Sequence, residues 1–287
     1  MKAMDTIGVL GAGVMGNGIV QVAAQAGYNV VMKDIEERFL ETGFKNIDRF
    51  LSKTVERGKI TEDTKGAIMG RIHCTTKMED LEKVDFVVEV VVEDMNVKKK
   101  VFAELDELTD GDVVLSSNTS SMSITELGAC TKRPDKVVGM HFFNPVPLMR
   151  LVEVIRGVKT SDQTISVTMN LAKKMGKEAV EVKHDVPGFL STRLMMPHIM
   201  EAIKLYELGI ASKEDIDKTA KLALNYPMGP FELMDFTGLD INLFVMEYFK
   251  KALPGELKWE PSITLRNMVN AGNLGRKSGN GWYHYNK

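Results

Sequence analysis

Short apolar runs alternate with longer amphipathic stretches over residues 6–183, and the alternation predicts strands and helices in turn. TIGVL (6–10) is a β-rich run that passes directly into GAGVMG. The helical pattern of NGIVQVAAQAG follows and ends at Gly27, a residue suited to closing a helix. YNVVMKD (28–34) is the next apolar strand, ending on Asp34 and completing a β-α-β unit of about thirty residues.

Residues 36–70 predict charged amphipathic helices, with a cap region at Thr61–Thr64. KVDFVVEVVV (83–92) is a continuous β-branched run, the texture of a parallel strand covered on both faces. VKKKVFAELDEL predicts a helix, DVVLSSN (112–118) a strand, ITELGACT a short helix and KVVGMHF (136–142) another strand. RLVEVIRG and KEAVEVK are the last strands, with DQTISVTMNLAKKMG as the helix between them. The expected fold class is therefore α/β, a Rossmann-type doubly wound, mostly parallel sheet. After HDVPGF the pattern is helical throughout, which places a second, all-helical C-terminal domain beyond a boundary near 184–190.

The 287 residues suffice for one large domain or two ordinary ones, and 44% hydrophobic with 26% charged residues is a soluble globular composition. A formal net charge of −2 gives no electrostatic case for nucleic acid or an anionic membrane. The only cysteines are Cys74 and Cys130, without a C-x-x-C pair, so neither a disulfide framework nor structural zinc is expected. His73, His184, His198 and His284 have no metal-ligand spacing, and no metal is expected. The N-terminus reads as neither a secretory signal nor a membrane span, and the expected location is cytoplasmic.

Two stretches carry candidate chemistry. Gly11, Gly13 and Gly16 form G-x-G-x-x-G between a strand and a helix, and Asp34 ends the next strand. In that context the glycines admit a pyrophosphate at the helix N-terminus, and the acid takes the adenosine ribose. A carboxylate at 34 repels a 2′-phosphate, so NAD is expected over NADP, with Lys33 leaving NADP some tolerance. The second stretch is HFFNPVPLMRLVEVI (141–155), in which Pro145 and Pro147 lie between His141 and Glu153. His141 falls near the carboxyl end of its strand, where open α/β sheets bind ligands, and a proline turn returns Glu153 beside it. Alone, the stretch fits either a catalytic pair or a core histidine near an unrelated carboxylate.

GAGVMGNGI, SSNTSSMSI, HFFNPVPLMRLVEV, DVPGF, YPMGPFELMDFTGLD and GRKSGNGWYHY together resemble the short-chain L-3-hydroxyacyl-CoA dehydrogenases, bacterial 3-hydroxybutyryl-CoA dehydrogenases above all. The resemblance covers nearly the whole chain, in order. It implies NAD-linked interconversion of (S)-3-hydroxybutyryl-CoA and acetoacetyl-CoA in butyrate or fatty-acid metabolism. It also implies a homodimer built through the helical domain, with domains at 1–186 (NAD-binding) and 187–287 (substrate cleft and dimerisation). His141 becomes the base and Glu153 its orienting partner; oxidation of a secondary alcohol needs such a proton acceptor, and histidine serves near neutral pH.

The same resemblance places Ser120 at substrate and cofactor, although SNTSS also reads as a cap for the helix starting near Ser123. It assigns Glu93, Lys98, Asn144 and Lys277 to the cofactor; on its own Lys98 would read as an ordinary solvated lysine. Lys53 and Arg57 share a helix face that could grip coenzyme A phosphates or simply stay solvated, and a serine used there by some relatives falls at Phe50. Relatives carry asparagine before the arginine of the PGF segment, where this chain has Thr192 in PGFLSTR. Thr192 is assigned to polarising the substrate carbonyl, against a capping or packing role in the first helix of the second domain. Two other functions remain open to the sequence: a dehydrogenase of free β-hydroxyacids, which would need a lysine base rivalling His141, and a cofactor-binding protein without turnover.

Overall fold

The computed structural model describes residues 4–256 and 259–285. The chain forms two compact units, Met1–Val186 and Pro187–Lys287. In the first, elements run in the order β1 (Thr6–Leu10), α1 (Val14–Gln25), β2 (Asn29–Lys33), α2 (Glu37–Glu56), α3 (Glu62–Met69), β3 (Ile72–Thr75) and β4 (Phe86–Glu89). They continue as α4 (Met95–Leu108), β5 (Val114–Ser117), α5 (Ile124–Gly128), β6 (Val137–Phe142), β7 (Leu151–Ile155), α6 (Asp162–Lys174) and β8 (Glu178–Val182). The strands form one eight-stranded sheet in the order β3-β2-β1-β4-β5-β6-β7-β8. All neighbours are parallel except β6 and β7.

Every residue of β4, β5 and β6 is buried, which is why these segments open on apolar runs rather than alternating, with polar residues only towards their carboxyl ends. Ile7, Val9, Ile19, Met32, Val88, Val138, Met140 and Val154 belong to this core, and each contributes roughly 1.5–3 kcal/mol by leaving water. Helix starts follow the expected chemistry. Thr61 Oγ1 accepts from the Thr64 amide at 3.1 Å to cap α3, and Gly27, at φ +95°, closes α1.

Two readings change. Residues 72–75 form an unanticipated edge strand, β3, whose IHCT sequence buries only Thr75 fully and so carries little apolar signal. The long run 83–92 yields only four residues of β4, because the Val91 amide turns to the Glu89 carboxylate at 2.7 Å instead of extending the ladder.

The second unit contains α7 (Ser191–Glu207), α8 (Lys213–Ala223), α9 (Pro230–Thr237), α10 (Leu239–Ala252) and α11 (Ile263–Asn270). Met196, Ile203, Phe231, Met234, Phe249, Trp259 and Trp282 form its core. Two buried aspartates pin the last aromatic segment. Asp217 accepts from the amides of Phe231 and Glu232 and from the Tyr283 hydroxyl, at 2.8, 3.0 and 2.8 Å. Asp235 accepts from the amides of Trp282 and Tyr283 and from the Tyr285 hydroxyl. Burial pushes the Asp217 carboxyl upward against those donors, and burial with the Asp235 bond pushes Tyr285 up to about 12. Among the described residues no helix is long and apolar enough to cross a membrane.

Candidate active site

β1 delivers the chain into the glycine loop, and the space around each glycine explains its identity. Gly11 has φ +111°, and a Cβ there would lie 2.5 Å from the Val90 carbonyl oxygen. A Cβ on Gly16 would lie 1.8 Å from the Gly11 oxygen, so α1 can begin against the loop only with glycine there. Gly13 is the N-cap of α1, makes no side-chain cap bond, and its Cβ would meet nothing within 4 Å. The loop therefore presents open backbone at a helix N-terminus, which fits a pyrophosphate.

Asp34 has a role beyond the one expected of it. Its Oδ2 accepts from the Ala12 amide and its Oδ1 from the Ile35 amide, both at 2.7 Å. The carboxylate thus holds the loop, and each oxygen keeps a further lone pair for a ribose hydroxyl. These residues fit an adenine dinucleotide.

On the other side of the sheet's centre, the antiparallel register of β6 and β7 sets His141 directly across from Glu153. The turn through Pro145 and Pro147 does reverse the chain, and His141 Nδ1 lies 2.8 Å from Glu153 Oε2. Both are enclosed, at 7% and 1% exposure. The Phe143 ring packs 4.5 Å from the imidazole, centroid to centroid. A buried carboxylate on Nδ1 fixes the ring's orientation and tautomer.

The turn is also held by a residue that no local pattern in the sequence singles out. Lys177 Nζ donates to the carbonyls of Val146 and Met149 at 2.5 and 2.9 Å, and burial pushes its ammonium downward. Asn144 is exposed in that turn, just before Pro145. Asn118 was also missed. Its Oδ1 accepts from the Phe142 backbone amide at 2.8 Å and its own backbone N–H donates to the Glu89 carbonyl at 2.9 Å, tying the ends of β4 and β6 together. Ser120, half-buried, follows two residues later. The cap of α5 is Ser123, whose Oγ accepts from the Glu126 amide at 3.2 Å, so Ser120 is not needed there.

Lys98 is not a solvated lysine. It is 1% exposed, and its Nζ lies 2.7 Å from Glu89 Oε1 and 3.3 Å from Glu93 Oε2. Glu89, also overlooked, is fully buried and accepts from the Ser117 hydroxyl at 2.6 Å. The other Glu93 oxygen accepts from the Thr119 hydroxyl. The signal for Glu89 was present: a lone carboxylate inside FVVEVVV must find a partner if the strand is covered on both faces.

Lys53 and Arg57 are exposed on the last turn and C-cap of α2. That helix packs with α1, α3 and β3 at the sheet edge, and β2, β1, β4 and β5 separate β3 from β6. The structure does not bring the basic pair to His141. Thr192 and Lys277 lie in the second unit. Thr192 sits in the first turn of α7, whose N-cap is Leu190, so it is not the capping residue. Lys277 Nζ is bound to Asp240 at 2.6 and 2.7 Å. Among the described residues no cluster of three His, Cys, Asp or Glu is placed to hold a metal ion.

An imidazole steadied by a carboxylate is suited to exchanging a proton, and a glycine loop at the same edge of the sheet to carrying a dinucleotide. Together they define the class: a dinucleotide-linked oxidoreductase. Comparison with known proteins narrows it. Residues 6–186 match the NAD binding domain of 3-hydroxyacyl-CoA dehydrogenase, and residues 188–285 match its C-terminal domain. A probable 3-hydroxybutyryl-CoA dehydrogenase of Deinococcus radiodurans is 48% identical, over 97% of this chain and 99% of the relative. The 3-hydroxybutyryl-CoA dehydrogenase of Clostridioides difficile is 46% identical, over 98% and 99%. The crystal structure of (S)-3-hydroxybutyryl-CoA dehydrogenase from Ralstonia eutropha superposes with a TM-score of 0.96 at 42% identity, covering 99% of this chain and all of that one. The chain belongs to the 3-hydroxyacyl-CoA dehydrogenase family, and its cofactor is NAD.

Proposed function

We propose that the chain interconverts (S)-3-hydroxybutyryl-CoA and acetoacetyl-CoA, with His141 as the proton-exchanging group and Glu153 as its partner. The observation that carries this reading is the 2.8 Å contact between His141 Nδ1 and Glu153 Oε2 inside a buried register pair. Gly11, Gly13, Gly16 and Asp34 would hold NAD, which would supply a hydride acceptor for the carbon bearing the hydroxyl. With Glu153 on Nδ1, His141 Nε2 takes the hydroxyl proton, and Glu153 stabilises the imidazolium. In reduction the same nitrogen returns the proton to the 3-keto oxygen.

Gly11, Gly13, Gly16 and Asp34 hold the adenosine and pyrophosphate end, and Glu93, Lys98, Asn144 and Lys277 the nicotinamide end. Ser120 and Thr192 bind substrate near the reacting carbonyl, and Lys53 with Arg57 meets the phosphates of coenzyme A. The named relatives support the acyl group, and the same reading carries a cytoplasmic homodimer working in butyrate or fatty-acid metabolism. The test is NADH consumption, followed by absorbance, with acetoacetyl-CoA. Turnover by the wild type with severe loss in His141→Ala is expected; absence of turnover with C4 and longer 3-ketoacyl-CoAs would reject the reading.

A further inference from the structure

Glu89 has no place in the proton transfer just described, yet it is a fully buried carboxylate at the end of β4. It accepts from Lys98 Nζ, from the Ser117 hydroxyl and from the Val91 amide, at 2.7, 2.6 and 2.7 Å. Lys98, equally enclosed, bridges to Glu93, whose side chain is one-third exposed. Two carboxylates and one ammonium leave this cluster with one net negative charge. Ser117, Thr119 and the Val91 amide supply only neutral donors.

The position is specific. β1 has β2 on one side and β4 on the other, so β1 and β4 flank the point where the chain's crossovers change direction and where open α/β sheets bind ligands. The cluster also touches the glycine loop. A Cβ on Gly11 would lie 2.5 Å from the Val90 oxygen and 3.5 Å from the Val91 nitrogen, the amide that Glu89 binds. A buried carboxylate is expensive where a neutral acceptor would fill the space. What the charge adds is a negative potential at the crevice.

We propose that Glu89 is a positioning residue that fixes Lys98, and through it Glu93, and that the cluster's net negative charge biases the site toward the oxidised nicotinamide. The oxidised ring is cationic and the reduced ring neutral, so one anion acts on the two forms differently. The inference rests on the proposed placement of the nicotinamide end at Glu93 and Lys98.

The experiment measures dissociation constants for NAD⁺ and NADH, by fluorescence and calorimetry, on wild type and Glu89→Gln. Glutamine keeps the size and an acceptor for Val91 while removing the charge. The ratio Kd(NAD⁺)/Kd(NADH) is expected to rise by about three- to tenfold, the scale of one unit charge in a partly shielded site. A merely structural role would weaken both forms alike. Glu93→Gln removes one charge from the half-open end of the cluster, and is expected to move the ratio the same way; it decides the matter if Glu89→Gln does not fold. A ratio unchanged in Glu93→Gln, or in a folded Glu89→Gln, overturns the inference. If the wild type turns over acetoacetyl-CoA while the ratio stays put, the charge assignment alone fails. A wild type without turnover would instead remove the functional reading on which it rests.

Discussion

Glu153 and Glu89 are both almost fully buried carboxylates, and each holds a side-chain nitrogen, at 2.8 and 2.7 Å. Their partners differ in kind. As side-chain types, an imidazole exchanges a proton readily, whereas an ammonium stays charged unless forced otherwise. The first pair can therefore pass a proton and the second can only supply a fixed field. A buried carboxylate towards the carboxyl end of one sheet thus has a proposed part in chemistry at Glu153 and a proposed part in electrostatics at Glu89. The partner decides which.

Breaking the fixed pair should cost most in stability. Lys98→Met leaves Glu89 buried without its counter-charge, a change worth about 3–5 kcal/mol. Chemical denaturation should show that loss; a stability unchanged from wild type would mean the pair is replaceable by packing. Glu153→Gln breaks the other pair differently, because a neutral imidazole tolerates an amide neighbour. Its melting temperature should move by only a few degrees, while kcat falls on the order of 10²-fold as the imidazolium loses its anion. A large drop in melting temperature with normal kcat would reverse the comparison.

Asp34 sharpens the contrast from a third position, since it combines a fixed hold on the Ala12 amide with its proposed contact to the ribose. Asp34→Ala should raise KM for NADH and narrow the preference over NADPH by about tenfold, by loosening the loop and removing repulsion together. A wild type with higher kcat/KM for NADPH would contradict this. The smallest effect is expected at the exposed edge. Lys53→Ala or Arg57→Ala should raise KM for acetoacetyl-CoA by about two- to fivefold at low salt, with kcat unchanged and the difference fading as ionic strength rises. A kcat effect there would place the helix nearer the chemistry than its position beside β3 suggests.

The sheet was legible because strands covered on both faces are mostly apolar, and β4, β5 and β6 depart from that only near their carboxyl ends, at Glu89, Ser116, Ser117 and His141. The edge strand β3 was not, since IHCT keeps two residues half in solvent and needs no apolar pattern. His141 and Glu153 could be paired from the proline turn between them, because an antiparallel return fixes which residues face each other. Lys98 misled for the opposite reason. In VKKKVF nothing local separates it from its neighbours, and only the helix's placement beside β4 buries it. Lys177 and Asn118 bind backbone atoms about thirty and twenty-four residues away, contacts that no local pattern encodes. Thr192 reads as a first-turn residue of α7, and its chemistry awaits Thr192→Val: lower kcat/KM with an unchanged melting temperature is expected for a substrate contact, and the converse for packing.

Proton transfer by His141 is tested by measuring kcat for His141→Ala with acetoacetyl-CoA and NADH, alongside NADH affinity. The account predicts a fall of about 10²–10⁴-fold in kcat with NADH binding nearly intact. A variant that keeps near wild-type kcat would contradict it.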